Sequence, residues 1–192
     1  MRLTTLLTFT ALSCSLVAGQ AFAYQAGDVY VRGEYMKDDT STDKFSEENG
    51  VGLSAGYLFT NKVGIELGIG EDVGYDYQLD AGRAGSVDRM PVHLLLQYYP
   101  LGGVENARIQ PFIGVGANYT RFSSVSTPGM KVDNDYGFAG QVGMDLVITG
   151  NLHATSFVRY AEVDAEFESG GQTVEEVRLD PLTVGAGITY RF

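Results

Sequence analysis

The chain has 192 residues, enough for one domain, and carries 24 acidic against 13 basic residues for a net charge of −11. That balance excludes nucleic acid as a partner, because phosphate binding wants a basic patch. A single cysteine, Cys14, excludes a disulfide framework and a thiolate metal site.

The first element is not part of the fold. Met1-Arg2 is a short basic start, Leu3 to Val17 an apolar stretch diluted by Thr and Ser, and Ala21-Phe22-Ala23 an A-x-A cleavage site. This order predicts a signal peptide over residues 1–23 and a domain over 24–192 that begins at Tyr24. The apolar stretch is shorter than the ~20 residues of a spanning helix. Cys14 lies inside it, which argues against lipidation there. Losing Arg2 leaves 12 basic residues, a net charge of −12 and no cysteine.

Eight segments with strand character follow: Asp28 to Met36, Val51 to Phe59, Val63 to Gly70, Met90 to Tyr99, Gln110 to Phe122, Tyr136 to Ile148, Leu152 to Val163 and Leu179 to Phe192. Most have about the length of a tilted membrane strand, ~9–11 residues. Long connections around 37–50, 71–89, 123–135 and 164–178 alternate with the tight turns Thr60-Asn61-Lys62 and Thr149-Gly150-Asn151 and an intermediate link from Pro100 to Ile109. Long loops on one side and short turns on the other is the asymmetry of an outer-membrane barrel, and an even strand number puts both ends of the domain on the short-turn, periplasmic side.

One parity of each segment is apolar, as in Leu53, Ala55, Tyr57 and Phe59, or Val63, Ile65, Leu67 and Ile69. This face is expected to meet lipid. Its aromatics collect at segment ends: Tyr57, Phe59, Tyr98, Tyr190 and Phe192 on the periplasmic side, Tyr35, Tyr119, Phe138 and Tyr160 on the extracellular side. Two interfacial belts around an aliphatic band account for that. The other parity is polar or small. It includes Arg32, Glu34, Ser54, Glu66, Gly68, His93, Gln97, Gln141, Asp145, Thr155, Arg159 and Thr189. The fold expected is therefore all-β: an eight-stranded antiparallel up-and-down transmembrane β-barrel. Its lumen is just wide enough for side chains, glycines leave room for long neighbours, and opposite charges among Arg32, Arg159, Glu34, Glu66 and Asp145 are expected to pair. Closure follows because an open sheet edge in hydrocarbon would leave backbone groups unsatisfied.

The ordered set Val31-Arg32-Gly33, Thr60 to Leu67, Leu94 to Tyr99, Pro111 to Phe122, Gly137 to Asp145, Arg178 to Pro181 and the Tyr190-Arg191-Phe192 ending resembles the OmpW family of eight-stranded outer-membrane proteins across nearly all of the domain. The resemblance implies a narrow barrel that passes small, mostly hydrophobic molecules inward and releases them sideways into the membrane. It implies a transport path through Arg32, Glu34, Glu66, Gly68, His93, Gln97, Asp145 and Arg159. Gly68 and Arg159 match the positions whose bulky apolar side chains line the family's narrow point, so here a polar narrow point is expected. The Gly187-x-x-Tyr190-x-Phe192 ending is similar to the signal read by the barrel-assembly machinery.

Other chemistry fits the residues less well. Hydrolysis wants a Ser beside a His with an acid to orient it, and only His93, with Ser86, is even a candidate, because His153 is expected at the opposite end. Gly114-x-Gly116 opens no helix and cradles no phosphate. No enzyme, cofactor or metal site is expected. Acidic groups around Asp38, Asp39, Asp43, Glu47 and Glu48, around Glu71, Asp72, Asp76, Asp80 and Asp88, and around Asp164, Glu166, Glu168, Glu175 and Glu176 read mostly as solvated loops. Cation-bridged contact with lipopolysaccharide is a second role for them. The partners expected are lipids, lipopolysaccharide, the assembly machinery and a small solute. The alternative to uptake is a structural or adhesion barrel with a plugged lumen and working loops.

Overall fold

A computed structural model describes residues 23–39, 48–78, 84–126, 130–169 and 172–192. The expected signal peptide, apart from Ala23, lies outside the described residues, as do Cys14, Asp43, Glu47 and Asp80.

The described residues form twelve strands: β1 Val29–Asp39, β2 Glu48–Leu58, β3 Val63–Gly70, β4 Val73–Gln78, β5 Ala84–Tyr98, β6 Ile109–Ser123, β7 Met130–Val132, β8 Asp135–Val147, β9 Leu152–Ala161, β10 Asp164–Ser169, β11 Gln172–Arg178 and β12 Leu182–Arg191. Eight of them (β1, β2, β3, β5, β6, β8, β9 and β12) each pair antiparallel with the next, and β12 returns to β1. The sheet is closed, so no edge of it faces hydrocarbon. This is the up-and-down barrel that the alternating faces require.

The expected long loops are more ordered than their acidity suggests. β4 and the first residues of β5 extend the wall beyond β3, within the stretch expected as the loop 71–89. β7, β10 and β11 make a separate three-stranded sheet within the stretches expected as loops 123–135 and 164–178. The reason is an alternation that continues past the membrane: Val163, Ala165 and Phe167 are buried, while Glu162 between the strands is exposed.

The outward parity is largely exposed, with Leu53, Leu67, Leu94, Leu96, Val115, Met144, Val184 and Ile188 each 47–55% exposed. Such a surface in water would be an aggregation site, whereas in lipid it is the expected face. The belt aromatics Tyr35, Tyr57, Phe59, Tyr98, Phe138, Tyr160, Tyr190 and Phe192 are exposed on it and Tyr119 is half-buried, its ring 4.6 Å from that of Tyr136.

Inside, glycine and bulk alternate across strands. Tyr30 stands opposite Gly56, Phe112 opposite Gly143, Phe157 opposite Gly185, His93 opposite Gly68 and Gln97 opposite Gly114. A Cβ on any of these glycines would fall against its partner's side chain. Each glycine thus lets a large side chain lie across the strand beside it, which is how so narrow a lumen is filled. This corrects the expectation of a polar or small interior. Tyr24, Tyr30, Met36, Leu58, Tyr99, Phe112 and Phe157 form one buried apolar cluster inside.

Candidate functional site: the barrel interior

The interior is layered along the barrel. Its middle is an ion-paired layer that brings together the predicted path residues. The Arg32 guanidinium bonds Glu66 at 2.7 Å, donates through Nε to the Thr189 hydroxyl at 2.9 Å, and lies 3.5 Å from Asp145 and 3.8 Å from Glu34. Arg159 reaches Glu34 at 3.3 Å and donates through Nε to Gln141 at 2.7 Å. The Gln97 and Gln141 amides both donate to Glu66 at 3.2 Å. His93 Nε2 sits 3.7 Å from Glu66, and Gly68 leaves the space the imidazole fills. All of these side chains are buried. Two guanidiniums thus face three carboxylates (Glu34, Glu66 and Asp145), and hydroxyls from Tyr24, Tyr30, Ser54 and Thr155 also donate to them. Buried ions of this density persist only when paired and hydrogen-bonded.

On the periplasmic side the N-terminal segment folds back into the mouth. Tyr24 is fully buried, its hydroxyl donates to Asp145 at 2.7 Å, and its ring packs 4.5 Å from Tyr99 and 5.6 Å from His153. The strap is held from three places in the chain. Ala26 N–H donates to Asn61 Oδ1, Gly103 N–H donates to the Tyr24 carbonyl, and Arg191 donates to the carbonyls of Ala23 and Gly150. Tyr24 was not a site candidate in the sequence, because it precedes the first strand and shares no parity with one.

On the extracellular side the interior is mostly apolar, with Arg89, Asn118, Thr120 and Thr183 as its buried polar side chains. Tyr75, Val87, Leu95, Phe122, Ala139, Ala161, Val163, Phe167, Val177 and Leu179 form a second buried cluster, supplied by β4, β5, β6, β8, β9 and the β7–β10–β11 sheet with its flanks. The bulky apolar lining is therefore present, mainly above the layer that holds Gly68 and Arg159, and is supplied both by segments expected as strands and by segments expected as loops.

The wall beside this cluster has a seam. The β3–β5 ladder ends at Ile69 opposite Val92, and the β4–β5 ladder begins at Val73 opposite Arg89. Gly70 to Asp72 cross the gap against Met90 and Pro91, and Pro91 has no N–H to give a ladder. A cavity of about 20 Å³ lies at the seam, lined by inward Met36, Asp38, Tyr75 and Arg89 and by outward Val51 and Glu71. Asp38 ties its rim, bonded to Arg89 at 3.0 Å, the Tyr75 hydroxyl at 2.9 Å and the Thr183 hydroxyl at 2.6 Å. Burial pushes the Tyr75 hydroxyl well above its usual range, so it remains the donor to Asp38.

The hydrolase constellation does not assemble. Ser86 is seven residues along β5 from His93, about 23 Å at the rise of a strand, and its N–H bonds Ser126. Among the described residues no group of three His, Cys, Asp or Glu is placed to hold a metal ion.

Comparison with known proteins agrees with this architecture. The chain is 30% identical to outer membrane protein W of Escherichia coli (strain K12), over 97% of this chain and 99% of that one. It is 25% identical to outer membrane protein W of Vibrio cholerae over 95% of this chain and 96% of that one. Among solved structures, the crystal structure of OprG from Pseudomonas aeruginosa superposes with a TM-score of 0.75 at 25% identity, covering 90% of this chain and 99% of that one. The solution structure of E. coli outer membrane protein W gives a TM-score of 0.68 at 26% identity, over 88% and 99%. The OmpW family model matches residues 20–192. The chain belongs to the OmpW family, as a closed eight-stranded β-barrel of the bacterial outer membrane.

Proposed function

We propose that this barrel admits small apolar molecules from outside the cell and releases them sideways into the outer membrane. The observation that carries the reading is the polarity of the layers. An apolar column on the extracellular side ends on an ion-paired floor, with a break in the wall ladder beside the column at Gly70 to Asp72. Below the floor, Tyr24 fills the mouth. An apolar solute gains by displacing packed side chains in the column. It gains nothing by entering a layer of paired charges, where it would strip hydrogen bonds from buried ions. The lower-cost exit is the seam, which lies level with the outward Tyr35 of the extracellular belt. Arg32, Glu34, Glu66, Gly68, His93, Gln97, Asp145 and Arg159 then form the floor that turns solute aside rather than a path through it. The outward aromatics set the height at which it leaves.

The test is uptake in cells that express the barrel and lack any relative of it. Apolar solutes should enter faster than in control cells while small sugars do not. A second reading, a structural barrel with working loops, has its own support: the interior is filled at both ends and at the middle. Equal entry of every solute class with and without the barrel would reject uptake and leave that reading.

A further inference from the structure

Arg89 is a buried cation outside the floor. It is 4% exposed, stands on the inward parity of β5 at the seam, and lines the seam cavity. One terminal nitrogen holds Asp38 at 3.0 Å and approaches the Tyr75 hydroxyl at 3.4 Å, and its guanidinium carbon sits 5.6 Å from the centre of the Tyr75 ring. Its Nε–H is buried with no acceptor. A buried, unpaired donor on a guanidinium is costly. The cavity of about 20 Å³ is the size of one oxygen atom with its hydrogens.

We propose that the Arg89 Nε–H is a recognition site for one neutral acceptor oxygen on an otherwise apolar solute. The substrate class is then small apolar molecules bearing a carbonyl, as in ketones and esters. The proposal rests on the uptake reading and adds its selectivity. Charge decides for a neutral oxygen over a carboxylate. Asp38 already balances Arg89, Glu71 lies on the outer side of the same cavity, and the floor below carries three carboxylates against two guanidiniums. An anion would have to displace Asp38, which also holds Tyr75 and Thr183. A carbonyl oxygen fits a cavity of this size and needs to displace no counter-ion to accept from the Nε–H. The apolar remainder of such a solute has two apolar places to lie, against Val73, Tyr75 and the column on one side or beside Val51 on the other.

The experiment compares initial uptake of labelled n-octane, 2-octanone and octanoate by cells expressing the wild-type barrel, the Arg89→Lys variant or neither. Lysine keeps the charge for Asp38 but has no Nε–H. Wild type should accelerate the ketone over the alkane by roughly three- to tenfold, the size of one net hydrogen bond, with no acceleration of octanoate. Arg89→Lys should bring the ketone down to the alkane rate measured on the same variant. If wild type accelerates ketone and alkane equally, or Arg89→Lys keeps the preference, the cavity serves a water only and the proposal is overturned while uptake stands. A preference for octanoate also overturns it. If neither neutral solute enters faster than in control cells, uptake itself fails and the proposal with it. Should Arg89→Lys not reach the folded, heat-modifiable form, the Asp38→Asn/Arg89→Met double variant removes the donor and its counter-charge together and is held to the same outcomes.

Discussion

Replacing Arg32 by methionine tests whether the ion-paired floor is a stabilising unit. Arg32 is fully buried and touches all three carboxylates of the layer, at 2.7 Å from Glu66, 3.5 Å from Asp145 and 3.8 Å from Glu34. Methionine fills much of the same space but leaves Arg159 alone against three acids. Breaking a buried pair from one side costs about 3–5 kcal/mol, because the remaining charge is uncompensated. With a urea dependence of about 2 kcal/mol per molar, the unfolding midpoint should fall by roughly 1.5–2.5 M. The assay is urea unfolding in lipid vesicles, followed by the mobility difference between folded and unfolded barrel on unheated gels. A second substitution discriminates the cause. Arg32→Met/Glu66→Gln removes the charge nearest the lost guanidinium, while the new side-chain amide can still bond Tyr30 and Gln97, so it should recover at least about 1 kcal/mol of the loss. A loss below about 1 kcal/mol, or a double variant no more stable than the single one, would refute the reasoning.

Three more outcomes follow from the same geometry. Tyr24→Ala should lower stability by about 3–5 kcal/mol, as for a large buried aromatic, and should raise small-ion conductance in planar bilayers by opening the periplasmic mouth; unchanged conductance would mean the floor alone seals it. Gly68→Val puts a side chain into the His93 ring and should cost about 1–3 kcal/mol by overpacking, read as a lower thermal midpoint. Arg178→Ala should leave the midpoint where it is, since the pairs with Asp164 and Asp180 are made by a side chain 72% exposed to solvent.

The barrel was legible in the sequence because lipid imposes a period of two on every strand that crosses it. β3, from Val63 to Gly70, has the bounds its alternation gives. What was not legible lies where that pressure ends. Asp164 to Ser169 alternates as cleanly as a membrane strand, with Ala165 and Phe167 buried, but its polar partners are acidic and the stretch reads as a solvated loop. The inward aromatics were obscured by an expectation that lumens are polar. Tyr30, Phe112 and Phe157 stand on the inward parity, each opposite a glycine, and that pairing was the available signal. Individual charges were legible as a set, but their partners depend on which strands face each other across the lumen, and strand order around a barrel fixes neighbours rather than opposites. The seam was visible only as a proline near a glycine, and the strap around Tyr24 had no periodic signal at all.

The strap also sets an order of events. Its anchors come from the β2–β3 turn, the β5–β6 link and the next-to-last residue of the chain. Arg191 is in position only once β12 has zipped onto β1. The full set of anchors around Tyr24 is therefore assembled only in the closed barrel.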